Sequence, residues 1–150
     1  MSDKPKKKKH NVHGAGLFLW KAANAWQRHV RDQLKPLGIT HVQFLLLEAT
    51  QQLEAGGKQP SQILLARTAG TDVMMTSKVI RLLEKEKLVA RKSNRKDARS
   101  VTLQLTPEGK KKLVKAATAM QQAEISFFSK LKSKPHKFVA NLEGLSEEVH

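Results

Sequence analysis

The run Val73-Met74-Met75-Thr76-Ser77-Lys78-Val79-Ile80-Arg81 sets thioethers, hydroxyls and cations close together. That mixture makes and breaks no bonds, but it suits reading an edge of a polyanion. The Ser77 hydroxyl can bond a base or a phosphate. Lys78 and Arg81 can reach guanine N7 and O6 or the backbone, and Met74 and Met75 can touch thymine methyls. The bland alternative is that one methionine is core and the charges are simply solvated. A second basic set, Arg95, Lys96 and Arg99, lies in Asn94-Arg95-Lys96-Asp97-Ala98-Arg99, a loop rich in turn formers. Arginine entering a narrow minor groove gains from its enhanced negative potential. Asp97 would repel phosphate, so its expected role is to pair with Arg99 and hold the loop's shape. Such an exposed pair adds about 0–1 kcal/mol to stability.

These residues need elements to hold them. A short helix is expected from Pro60 to Thr68, a turn at Ala69-Gly70, and a second helix from roughly Asp72 to Lys85. Leu65, Ala69, Val79, Ile80 and Leu83 supply its apolar contacts. After Leu88 the period changes. Val101, Leu103 and Leu105 alternate with Thr102, Gln104 and Thr106, which is a strand pattern. Paired with Leu88 to Ser93, it makes a hairpin with the basic loop at its tip. A helix-turn-helix followed by a basic hairpin is a winged helix, expected over about residues 40–106.

The flanks read as helices. Trp20, Ala23, Trp26, Val30, Leu34 and Leu37 recur at threes and fours over about residues 16–37. Thr40 should cap a helix from His41 to Leu53, before a flexible break at residues 54–58. Thr106 and Pro107 open a long helix to about Leu131, in which Leu113, Met120 and Phe127 lie seven apart. Ser133 should cap a last helix beginning near Pro135. A seam of this length on a small domain favours contact with a second copy, so residues 16–37 and 107–148 are expected to dimerise. The fold class is mainly α with a small β-hairpin wing, α+β, in one domain over residues 14–150.

Residues 1–13 carry four consecutive lysines and no apolar period, and are expected to form a flexible basic arm. His10 and His13 on such an arm are a poor metal pair. The chain holds 28 Lys plus Arg against 13 Asp plus Glu, a formal net charge of +15, so a polyanion is the first partner to consider. It has no cysteine, which excludes disulfides and thiol redox sensing. The apolar run Leu17-Phe18-Leu19-Trp20 is too short for a signal core or a membrane span, so a soluble, cytoplasmic protein is expected. No phosphate loop, metal-spaced cluster or nucleophile–base motif is recognisable. No catalytic residue, metal or cofactor is therefore expected.

From Leu65 through Gly109 the sequence resembles the MarR family of bacterial transcription regulators. The resemblance is carried by Leu65-Ala66, Gly70, Met74 to Val79, Leu83-Glu84, Leu88-Val89, the wing Asp97-Ala98-Arg99, and Leu105-Thr106-Pro107-Glu108-Gly109. It implies a homodimer joined through its terminal helices, with two recognition helices in successive major grooves of a pseudo-palindromic double-stranded DNA site. It places Ser77 and Lys78 at common DNA-contacting positions. Lys87 stands where the family often has glycine, and Thr76 where it is often apolar. Many relatives release DNA when a small aromatic compound binds between the dimer helices and the winged domain; here Trp20, Trp26, Phe44 and Leu47 are candidates to line such a pocket. The function implied is a sequence-specific repressor acting by promoter occlusion. The alternatives are a non-specific nucleoid-type binder and a winged-helix protein-interaction module.

Overall fold

The computed structural model describes residues 12–94 and 97–147. Helices α1 (Ala15–Leu34), α2 (His41–Ala55), α3 (Gln62–Ala69) and α4 (Val73–Lys85) come first. The antiparallel strands β1 (Val89–Asn94) and β2 (Asp97–Leu105) follow, and α5 (Pro107–Phe128) and α6 (Pro135–Ser146) end the chain. A single turn of 3₁₀-helix, Lys35–Leu37, ends on Gly38 between α1 and α2. This is the mainly α winged helix with flanking helices that the sequence pattern implies.

The inner helices begin on side-chain caps. Thr40 accepts the Gln43 N–H while the Gln43 side chain accepts the Thr40 N–H, a reciprocal capping box. Ser61 caps α3, Asp72 caps α4 and Thr106 caps α5. Pro60 therefore does not start the third helix. It lies just outside, where its carbonyl accepts the Leu103 N–H of β2 at 2.9 Å. The expected break at residues 54–58 is also shorter, because α2 continues to Ala55. Glu54 is held there by accepting the Leu105 N–H at 3.2 Å.

One core joins these elements. Leu46 and Leu47 of α2, Leu65 of α3, Ile80 and Leu83 of α4, Leu103 and Leu105 of β2, and Leu113 and Ala116 of α5 are buried together. Val30 and Leu34 bring the C-terminal half of α1 onto it. The other half of α1 does not follow the expected stripe. Trp20 is 68% exposed and Ala23 is exposed.

Two further expectations shift at the C-terminus. Helix α5 ends at Phe128, three residues before Leu131. Lys134, not Ser133, is the N-cap position of α6, and it makes no side-chain cap bond. No residue of α6 is buried. Strand alternation holds only at the hairpin base. Leu103 and Leu105 are buried and Gln104 is exposed, but Thr102 is buried and Val101 is 41% exposed. A two-stranded ribbon leaves the core as it extends, so farther out neither face is covered.

Candidate nucleic-acid interface

Two glycines and one lysine show how the reading elements are set. Gly70 closes α3 in the left-handed region at φ +69°, and its N–H is shared between the Ala66 and Arg67 carbonyls. Nothing crowds a Cβ there, so the demand is on the dihedral alone. At the other end of α4, Lys87 takes φ +60° and is the only positive-φ residue other than glycine among the described residues. The Leu88 N–H reaches back to the Leu83 carbonyl at 2.8 Å, closing a Schellman turn. A glycine is the ordinary occupant of that position, which is the residue the family resemblance leads one to expect.

Gly109 answers a different need. A Cβ there would overlap the Leu88 carbonyl oxygen. That carbonyl accepts the Thr106 N–H and lies within 3.1 Å of the Thr106 hydroxyl, which also reaches the Lys87 carbonyl at 2.7 Å. The start of β1 is thus clasped to the first turn of α5. The Leu-Thr-x-x-Gly motif has its physical cause here: threonine as cap and bridge, glycine as clearance.

Helix α4 presents the expected face. Met74 is 75% exposed; Met75, Lys78 and Arg81 are exposed and Ser77 is half-buried. Opposite them Ile80 and Leu83 are buried. Thr76, the residue that departs from an often apolar position, also faces inward and is fully buried. Its hydroxyl donates to the Asp72 carbonyl at 2.8 Å, which leaves the Thr71 hydroxyl as the donor in their 2.7 Å contact. A polar atom is tolerated there because both its bonds are made.

The tip of the wing lies beyond the described region. Arg95 and Lys96 are outside the described residues, as are the side chains of Asp97 and Arg99 and the arm over residues 1–11. The hairpin base shows a connection that sequence reasoning missed. Arg91 Nε of β1 donates to Glu84 Oε1 of α4 at 2.7 Å, both groups being partly exposed. A glutamate on a helix and an arginine on a strand seven residues later share no period, so no sequence signal marks them. From α2, Gln43 Nε2 donates to Glu86 Oε2 at 3.5 Å, at the same C-terminal end of α4.

The four candidate pocket residues separate. Phe44 and the half-buried Trp26 line one cavity between α1, α2 and α5. Leu47 is packed into the core and Trp20 lies out on the exposed half of α1. The aromatic group is instead extended by residues not singled out for it. Trp26 stacks near His29, His41, Phe127 and Phe128, with ring centroids 5.2–6.4 Å apart. His29 bonds the Ser126 hydroxyl through Nε2 at 2.8 Å, linking α1 to α5.

Among the described residues no group of three His, Asp or Glu side chains is placed to hold a metal, and no helix is long and apolar enough to cross a membrane. The chain matches no family model. Over 130 residues it is 36% identical to the uncharacterized HTH-type transcriptional regulator YdcH of Bacillus subtilis, covering 87% of this chain and 88% of that one. Its fold is similar to that of BpsR from Bordetella bronchiseptica, whose DNA binding is regulated by 6-hydroxynicotinic acid. That match has a TM-score of 0.76 and 23% identity, over 91% of this chain and 93% of that one. It is also similar to a MarR-family transcriptional regulator from Rhodococcus sp. RHA1. There the TM-score is 0.77 and the identity 18%, over 92% and 96% of the two chains.

Proposed function

Because this chain belongs to the MarR family of helix-turn-helix transcriptional regulators, we propose that it is a homodimeric, sequence-specific repressor that occludes a promoter. The observation that carries this reading is the exposed face of α4. Met74, Met75, Lys78 and Arg81 stand out from a buried back, beside a hairpin held by Glu84 and Arg91. Met74 and Met75 read thymine methyls, Ser77 and Lys78 contact bases or phosphate, and Arg81 takes the backbone. Arg95, Lys96 and Arg99 of the wing enter the flanking minor groove, with Asp97 holding Arg99. Half-sites lie about 34–36 Å apart, one turn of DNA. The protein works in the cytoplasm without chemistry of its own. A small ligand in the cavity beside Trp26 and Phe44 releases the DNA by changing the angle between the two protomers.

A second reading, non-specific nucleoid-type binding, draws on the net charge of +15. One experiment separates the two. Labelled DNA from upstream of the protein's own gene is titrated at about 150 mM salt against excess random competitor, with fluorescence anisotropy as the readout. The repressor reading expects binding that resists the competitor at two protomers per site. Binding that the competitor removes, with a steep salt dependence, supports the nucleoid reading.

A further inference from the structure

The cavity between α1, α2 and α5 measures about 300 Å³. Phe44, Met120 and Trp26 give it an apolar wall. Its ionised groups all have one sign. Glu48 and Glu124 both line it and both are exposed, so their carboxylates stand on its solvent side. Neither forms an ion pair with another described residue. No lysine or arginine lines it, in a chain where those residues outnumber the acids 28 to 13. The recess beside Leu37 and Leu88 shows the opposite balance, with Lys111, Lys112 and Lys115 against Glu108.

His41 completes the wall as an acceptor. Its Nδ1 lies 3.1 Å from the Gln27 side-chain oxygen. An amide oxygen only accepts, so Nδ1 carries the proton and the neutral ring keeps a lone pair on Nε2. Burial lowers the His41 pKa below 6.5. Its place as the first residue of α2, at the positive end of that helix, works in the same direction. The ring is therefore neutral near pH 7 and offsets neither carboxylate.

We propose that this cavity takes a small lipophilic cation, an arylalkyl ammonium, rather than an aromatic acid. The inference rests on the effector reading above and fixes the charge of the ligand. An indole face is the strongest of the aromatic partners for an ammonium group. Two carboxylates at the rim add Coulomb attraction that water and salt only partly screen. An aromatic carboxylate in the same place would meet both of them with like charge.

Calorimetry on the full chain at pH 7.5 would compare three probes of nearly equal shape: 2-phenylethylammonium, 2-phenylethanol and phenylacetate. The ammonium is expected to bind about tenfold tighter than the alcohol, a difference of about 1.4 kcal/mol, with phenylacetate weakest. In the E48Q/E124Q variant the ammonium should lose most of that advantage, keeping only the part the indole face supplies, while the alcohol is unaffected. The proposal is overturned if phenylacetate binds as well as the ammonium, if the ammonium does not bind, or if its advantage is undiminished in the double variant. Trp26→Ala should weaken both ammonium and alcohol. If that variant fails to fold, quenching of Trp26 emission by the ammonium in a Trp20→Phe chain gives the same information. DNA anisotropy with the ammonium present keeps the two readings apart. Release from DNA supports both; binding without release supports the cation site and refutes its coupling to DNA. Intact DNA binding with no ammonium binding refutes the cation site alone.

Discussion

The winged half and the terminal helices are built on different terms. In the winged half, and in α5 that follows it, each helix begins on a side-chain cap, from Thr40, Ser61, Asp72 and Thr106, and each buries an apolar face within the chain. The outermost helices α1 and α6 lack the cap, and of the two only the C-terminal half of α1 is buried, through Val30 and Leu34. Gly14 and Lys134 make no side-chain cap bonds, and the apolar side chains beyond them are open. Leu17, Phe18, Leu19 and Trp20 on α1 and Val139 and Leu145 on α6 are exposed. The first half is finished as a single copy. The second half is finished only against another surface, which in the proposed assembly is a second copy of itself.

That contrast can be broken from either side. Charges placed on the open face, as in the L142E/L145E variant, should give a monomer by sedimentation. Operator affinity should then fall by about 10²- to 10⁴-fold, the avidity lost when two linked readers become one. A variant that stays dimeric and binds normally would move the interface elsewhere. Within the finished half, Gly109→Ala should cost about 2–4 kcal/mol of stability, measured by thermal or urea unfolding, because the Leu88 carbonyl cannot move without opening the wing base. A near-neutral result would mean that β1 and α5 are clasped less tightly than the Thr106 bonds suggest.

Smaller effects sharpen the division between stability and binding. Lys78→Ala should cost about 1–3 kcal/mol in operator affinity while unfolding changes by no more than about 0.5 kcal/mol. Lys87→Gly should add about 0.5–1 kcal/mol of stability by relieving the left-handed backbone, with DNA binding unchanged. The smallest effect lies at the seam between the halves. The folded pKa of His41 is below its unfolded value of 6.5. As pH falls through 6.5 the unfolded chain gains this proton first, so stability declines with acidification and levels off below the folded pKa. Comparing Tm against pH for the natural chain and His41→Gln isolates that part of the slope from the rest of the chain. Parallel curves would show that His41 contributes none of it.

The same division governs what the sequence reveals. Caps are local, so Thr40 and Thr106 could be placed from their neighbours alone, and the cap of α4 could be narrowed to Thr71 or Asp72. The outward face of α4 could be read from the spacing of Ile80 and Leu83. Periodicity also marked α1 as apolar, but it does not say whose surface covers an apolar residue. Trp20 shares that apolar face with Trp26, yet within one copy Trp26 is half-buried and Trp20 is exposed. Contacts between elements left no trace: the Glu84–Arg91 pair, the Glu54 bond to β2, and His41 beside Trp26. Each joins residues whose separation along the chain follows no repeat. The charge of the cavity was hidden for the same reason, since Glu48 and Glu124 meet only after α2 packs on α5.

The ties at the wing base have a mechanical consequence. Glu84 holds Arg91, Glu54 holds the Leu105 amide, and the Pro60 carbonyl holds the Leu103 amide. Anchors on α4, on α2 and on the segment leading into α3 leave the root of the ribbon no independent swing against the recognition helix. Each protomer is then a stiff jaw of fixed gauge. In a dimer of such jaws the adjustable part is the joint between them, so an operator with one base pair too many strains the joint or bends the DNA and leaves the jaw unchanged.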